Sequence, residues 1–315
     1  MRAVVLLGLD EDGSLLVVHA RIAPGRETRA AAVREAAAIH WTVNTLDRPV
    51  DCSNGRTPFA EPREEDDRLV CYGLLWDDSG DERIDMDHYL LPGRTAAGVR
   101  LFELMEARAA ERARANGAGR AVVHMRLNTE PTLDTAVIEA RDWRQVRRYQ
   151  VMTRDISSLG APPPPPPGLR VRDCAAESDH RIAYELCELT FADHLDHRTR
   201  GYEEWLEHQG GDRIDWSLVW IATAEGLGDV GVLVAGNERE SMGWIPNLGV
   251  VRDARGRGVG GFLLHHAFHT FAGRGRDTVG LGVDTENATG ALKLYESNGM
   301  RLHFSVDTWE LILPV

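Results

Sequence analysis

Between Leu248 and Gly261 the chain reads Leu-Gly-Val-Val-Arg-Asp-Ala-Arg-Gly-Arg-Gly-Val-Gly-Gly, a stretch whose residue types and spacing can do chemistry. Glycines at 256, 258, 260 and 261 put no Cβ in the way of a ligand. Backbone N–H groups can therefore converge on phosphate oxygens at a helix N-terminus, where the helix dipole favours an anion. Arg255 and Arg257 add fixed positive charge. The chemistry expected of such a turn is the binding of a pyrophosphate, with contacts from Arg255, Gly256, Arg257, Gly258, Val259, Gly260 and Gly261. To do this the turn must join a strand to a helix. Leu248 to Val251 is a short β-type run, and Phe262 to Phe271 has the apolar spacing of a helix start. Two common phosphate loops do not fit. A P-loop needs Lys followed by Ser or Thr after its last glycine, and Phe262 stands there instead; a Rossmann turn opens its domain, and this one lies near the end of the sequence.

The stretch resembles the Arg-x-x-Gly-x-Gly signature of the Gcn5-related N-acetyltransferase (GNAT) family. Asn287-Ala288-Thr289-Gly290-Ala291-Leu292, then Leu294-Tyr295-Glu296-Ser297-Asn298-Gly299-Met300, resemble that family's Asn-x-x-Ala-x-x-Leu-Tyr-x-x-x-Gly-Phe pattern. Met300 takes the Phe position, and one extra residue precedes Ala291. The resemblance implies acetyl-CoA as acyl donor. It puts the pantetheine against the backbone of Leu248, Gly249 and Val250, between two splayed strands, with Asn287 and Ala291 flanking it. It makes Tyr295 the general acid for the departing thiolate, a role worth ~10²–10⁴ in rate. The acceptor it implies is a small-molecule amine that attacks directly.

Within the family the chain is most similar to the actinobacterial tandem proteins of the mycothiol-synthase type. That branch carries a glutamate base four residues before the Leu-Gly-Val, where this chain has Trp244. Glu238 and Glu240 lie just upstream; Glu240 is the candidate base, with a water chain as the alternative. At the junction of the first two helices of the second half stand Asp193, His194, Asp196 and His197, where the family meets its acceptor. The two aspartates could bind an ammonium or simply cap and solvate. The two histidines lack a third ligand, so no metal is expected. A non-catalytic acyl-CoA-binding or scaffold protein is the reading of a different class.

Composition is that of an ordinary folded protein, 43% hydrophobic over 315 residues, a length that suggests two domains. A net charge of −13 argues against a nucleic-acid partner. No apolar run approaches a membrane span. With four cysteines at no metal-like spacing and no signal peptide, a reducing cytoplasm is the expected location. Monomer and homodimer are left open.

Six prolines, Pro162 to Pro167, punctuate the middle of the chain. They predict a polyproline rod over 159–168 that spaces a domain of residues 1–158 from one of residues 169–315, or alternatively offers a docking site. The second half reads as strand, two helices, three strands, helix, strand, helix and two strands, the last two at Arg301 to Ser305 and Trp309 to Leu313. The first half shows a similar order from about Leu15. It has strands at Val4 to Leu9, Leu15 to Ile22, Arg68 to Trp76, Arg83 to Leu91, Ala121 to Leu127 and Val146 to Ile156, and helices at Glu27 to Leu46, Gly98 to Ala115 and Thr132 to Ala140. The fold class expected is α/β (α+β), two tandem GNAT domains, each a mixed, mostly antiparallel sheet flanked by helices.

One fixed offset sets Ile138 under Tyr295 and Glu130 under Asn287. A second sets Gly98 under Gly258, so that Arg100 and Leu101 replace two cradle glycines and Ala96 replaces Gly256. The first half is expected to be a degenerate copy, with a second CoA site held by backbone N–H groups alone as the alternative.

Overall fold

The computed structural model describes residues 3–9, 15–21, 71–77, 80–90, 93–129, 134–192, 194, 197–237, 242–287 and 289–315. The expected helix Glu27 to Leu46 lies outside them. Two compact units emerge, one of Met1–Arg148 with Ser305–Val315, the other Tyr149–Phe304.

The first unit contains β1 (Ala3–Leu9), β2 (Leu15–Arg21), β3 (Cys71–Trp76), β4 (Arg83–Leu90), α1 (Thr95–Ala115), β5 (Arg120–Asn128) and α2 (Thr135–Glu139), and most of β12 (Arg301–Pro314). Its strands run in the order β2-β1-β3-β4-β5-β12. Every pair is antiparallel except β4 with β5, which are parallel and matched only over Arg83–Met86 and Val122–Met125. Leu101, Phe102, Met105, Ala109 and Ala113 recur at helical spacing along α1 and bury against Ile84, Met86, Val123, Met125, Trp309 and Leu311.

The second unit contains most of β6 (Arg144–Asp155), then β7 (Leu169–Asp173), α3 (Glu177–Phe191), α4 (Tyr202–Gln209), β8 (Val219–Ala224), β9 (Gly228–Gly236), β10 (Gly243–Val250), α5 (Val259–Gly273), β11 (Thr278–Asp284) and α6 (Ala291–Ser297). Strand order is β6-β11-β10-β9-β8-β7. Again all pairs are antiparallel except one, the parallel pair β10 with β11. β9 is buried on both faces, which its unbroken Val-Gly-Val-Leu-Val-Ala run requires. Its Leu233 and Ala235 meet α5, and its Val232 and Val234 meet α3 and α4. Both units are mixed, mostly antiparallel sheets flanked by helices.

Four expectations need correction. The strand at residues 146–156 is β6, and its residues 149–155 pair with β11 of the second unit, while the carboxyl-terminal strand is a single β12 whose residues 306–314 pair with β5 of the first. Both strands are long and alternating, and alternation says which face is buried without saying which neighbour is paired. The position next to the edge strand of the first unit is taken by β1, whereas β8, which fills it in the second unit, follows the helices.

The proline run is not a spacer at the boundary, since the units divide at Arg148 and the run lies within the second. His269 Nε2 meets the carbonyl of Gly160 at 3.1 Å, Pro166 carbonyl accepts from Leu169 N at 3.0 Å, and Gly168 carbonyl accepts from Glu225 N at 2.9 Å.

Finally, Gly98 does not match Gly258. Gly258 caps α5 at φ +81°, but Gly98 is inside α1, its N–H bonded to Arg94 carbonyl; the glycine with the matching conformation is Gly93, φ +80°. The other offset is supported in detail. Ile138 carbonyl accepts from Arg141 N and Trp143 N as Tyr295 carbonyl accepts from Asn298 N and Met300 N. Asp142 (φ 66°) and Gly299 (φ 79°) take the same left-handed place, and Trp143 and Met300 are fully buried. α2 and α6 therefore end in one and the same helix-stop motif.

Candidate active site

β10 and β11 pair over Gly243–Ile245 and Val279–Leu281 only; beyond Ile245, among the described residues, β10 is paired to β9 and to no other strand. The register against β9 shifts between Trp244 and Asn247. Pro246, which has no N–H to give a ladder, lies in that shift and is exposed. The result is a strand with a free edge over residues 247–250. Val251 N donates to Val230 carbonyl at 2.9 Å, so by antiparallel alternation Gly249 and Asn247 spend their backbone groups on β9, and Leu248 and Val250 turn theirs to the opening. Arg255 Nε donates to Val250 carbonyl at 3.1 Å, which confirms that orientation. Of the three residues expected at the pantetheine, Leu248 and Val250 thus offer the edge. Gly249 serves packing: a Cβ there would collide with Thr190 of α3.

The glycine turn follows directly. Gly256 (φ +75°) and Gly258 (φ +81°) both sit in the left-handed region, where a side chain is strained, and a Cβ on Gly256 would meet nothing. α5 begins at Val259 with no side-chain cap and no acidic residue in its first turn. The N–H groups of Val259, Gly260 and Gly261 have no partner inside the helix, and this is where an anion is favoured. Arg255 and Arg257 are exposed, and the Arg257 guanidinium has no partner among the described residues. Gly260 and Gly261 serve packing as well: a Cβ on Gly260 would stand 2.9 Å from Leu294 and one on Gly261 3.3 Å from Asn298, so both let α6 pack on α5.

α6 holds Tyr295 in the core that contains Ile245, Leu281 and Val283, the residues of β10 and β11 beside the opening. Burial pushes the phenol up to about 12, and its hydroxyl has no hydrogen-bond partner among the described residues. Asn287 is turned into its own loop, its Oδ1 accepting from Thr289 N at 2.8 Å, so it shapes the approach to α6 with an amide N–H₂ left over. α6 starts at Ala291, half-buried, after Gly290 (φ +77°).

On the opposite face of β10, Trp244 lies over Gly280 of β11, whose added Cβ would be 2.9 Å from the indole. Asn247 Oδ1 accepts from Gln209 Nε2 at the end of α4, 3.1 Å away. His197 pairs with Glu188 at 3.3 Å, and His194 N bonds Phe191 carbonyl at 2.8 Å. Glu238, Glu240, Asp193 and Asp196 lie outside the described residues. The Gln209–Asn247 contact and the Arg255 hook on Val250 carry no sequence signal, because each joins positions that only the fold brings together.

The acetyltransferase (GNAT) domain profile matches residues 215–300, which run from the approach to β8 to the end of α6. A mycothiol acetyltransferase of Beutenbergia cavernae is 30% identical over 209 residues, spanning 59% of this chain and 69% of that protein. The chain belongs to the GNAT family. A mycothiol acetyltransferase of Tsukamurella paurometabola is 28% identical over 167 residues, 50% of this chain and 57% of that one. Among solved structures, a GCN5-related N-acetyltransferase from Sphaerobacter thermophilus superposes with TM-score 0.69 at 24% identity, covering 79% of each chain. A tandem GNAT protein from the clavulanic acid biosynthesis pathway superposes at 0.58 with 14% identity, covering 79% of this chain and 81% of that one, a likeness of fold. Like other GNAT enzymes this protein is an acyltransferase, and the family's usual acyl donor, acetyl-CoA, fits the residues present: an uncapped helix start, two left-handed glycines, an unpaired arginine and an open strand edge. Among the described residues no helix is long and apolar enough to cross a membrane.

Proposed function

We propose that the Tyr149–Phe304 unit transfers acetyl from acetyl-CoA to a small-molecule amine by direct attack, and that the other unit is a copy that has lost this chemistry. The observation that carries the reading is the parting of β10 from β11 after Ile245, beside the uncapped start of α5 and the buried Tyr295. Bound acetyl-CoA supplies an activated thioester. The N–H groups at 259–261 and the Arg257 side chain would hold its pyrophosphate, and the backbone of Leu248 and Val250 would take its pantetheine as an added strand. Tyr295 carries its proton throughout the neutral range, as a phenol does, and burial disfavours the phenolate further, so the proton is there for the sulfur as it leaves. The first unit has Ile138 at the place of Tyr295.

Trp244 bears on the acceptor. The relatives are named for mycothiol, but this chain packs an indole on Gly280 where that branch has a carboxylate, and the acceptor is therefore left at the level of small amines. Titration calorimetry with acetyl-CoA should give one equivalent bound, weakened by Arg257→Glu, and thiol release should appear with some member of an amine panel. Two equivalents would sink the degenerate-copy reading; binding with no turnover on any amine would favour an acyl-CoA-binding scaffold.

A further inference from the structure

The proline run is tied along α5. One end is fixed where His269 Nε2 meets Gly160 carbonyl at 3.1 Å; the other is Pro166, whose Cγ lies 3.5 Å from where a Cβ of the cap residue Gly258 would stand. The lengths agree: Gly258 to His269 spans ~17 Å of helix at 1.5 Å per residue, and Gly160 to Pro166 spans ~19 Å of polyproline at 3.1 Å per residue. The strap thus runs antiparallel to the helix and ends at the helix start that receives the pyrophosphate. Pro162 to Pro165 are exposed, and Pro166 is half-buried. Gly168 (φ +72°), bonded through its carbonyl to Glu225 N, turns the chain away into β7. Arg257, exposed and without a partner among the described residues, stands on the same turn. A rigid apolar rail with a free cation beside it, continuous with an anion site, suits a group that joins a flat apolar ring to phosphate.

Resting on the acetyl-CoA reading, we propose that the proline strap is a wall of the cofactor site, with Pro166 and the adjacent ring of Pro165 seating the adenosine 3′,5′-bisphosphate end of CoA against the Gly258 cap. Proline serves because its ring is already ordered, so little freedom is lost when the nucleotide packs on it.

The test compares three probes on the full chain: CoA, adenosine 3′,5′-bisphosphate, and S-acetylpantetheine, which lacks the nucleotide. Pro166→Ala should weaken CoA and the bisphosphate about fivefold, the order expected for losing a few tens of Å² of apolar contact, and leave the KM for S-acetylpantetheine unchanged. Pro166→Val, which restores apolar bulk, should recover most of the loss. Unchanged CoA affinity in Pro166→Ala, an equal loss for S-acetylpantetheine, or no recovery in Pro166→Val would each overturn the proposal while leaving the acetyl-CoA reading in place. Failure of the parent chain to bind CoA or the bisphosphate at all would overturn that reading, and the strap proposal with it.

Discussion

Tyr295 and Ile138 occupy one backbone motif in two copies, which makes the hydroxyl the natural point of comparison between them. Replacing Tyr295 by Phe keeps the ring in its core and removes only the proton source. Affinity for acetyl-CoA should hold while kcat falls by ~10²–10⁴, measured by thiol release; an unchanged kcat would mean the thiolate leaves unaided. The same comparison makes a second prediction at Asp142. It is the non-glycine residue with positive φ among those described, and it stands where the other copy has Gly299. Asp142→Val should cost about 1–2 kcal/mol in urea unfolding, the usual penalty of a left-handed residue with a Cβ, whereas Asp142→Gly should cost nothing. Its ion pair with Arg144, 3.3 Å between two exposed side chains, will not be missed.

At the level of elements, His88 links β4 to α1. It stacks on Phe102 with ring centres 4.0 Å apart and meets Gly98 carbonyl through Nε2 at 3.1 Å, and burial pushes its pKa down to about 4. A histidine held neutral in the fold and free to protonate when unfolded, near 6.5, gives stability that is complete above pH 6.5 and is lost as pH falls toward 4. The full loss is of order 3 kcal/mol. Melting temperatures at pH 7 and pH 5 should therefore differ, and His88→Asn should flatten the difference.

The elements also show what the sequence could and could not convey. The cradle, its flanking strand and helix, and the match of α6 to α2 were legible, because glycine, alternation and helix-stop signals are local. The exchange of β6 and β12 was hidden, since strand pairing is a long-range choice between equally alternating candidates. The division of labour among the glycines was hidden too. A glycine demanded by φ, as at 256 and 258, looks the same in sequence as one demanded by a neighbouring helix, as at 249 and 260.

For the molecule as a whole, the carboxyl-terminal strand is part of the amino-terminal unit. Trp309 and Leu311 sit in one core with Phe102 and Val123. Trp309→Ala should destabilise the Met1–Arg148 unit by about 3–5 kcal/mol, seen as faster amide exchange in α1 and β5 with β8 and β9 little changed. Exchange that quickened equally in both units would show that they unfold as one.

The same arrangement fixes an order of events on the ribosome. Residues 149–304 form a contiguous stretch and can close upon themselves as soon as they are made. The unit begun first cannot finish until residues 305–315 have emerged, so β5 waits with an unpaired edge through the whole synthesis of its sister. Of the two units, the one whose residues are made first is the one closed last.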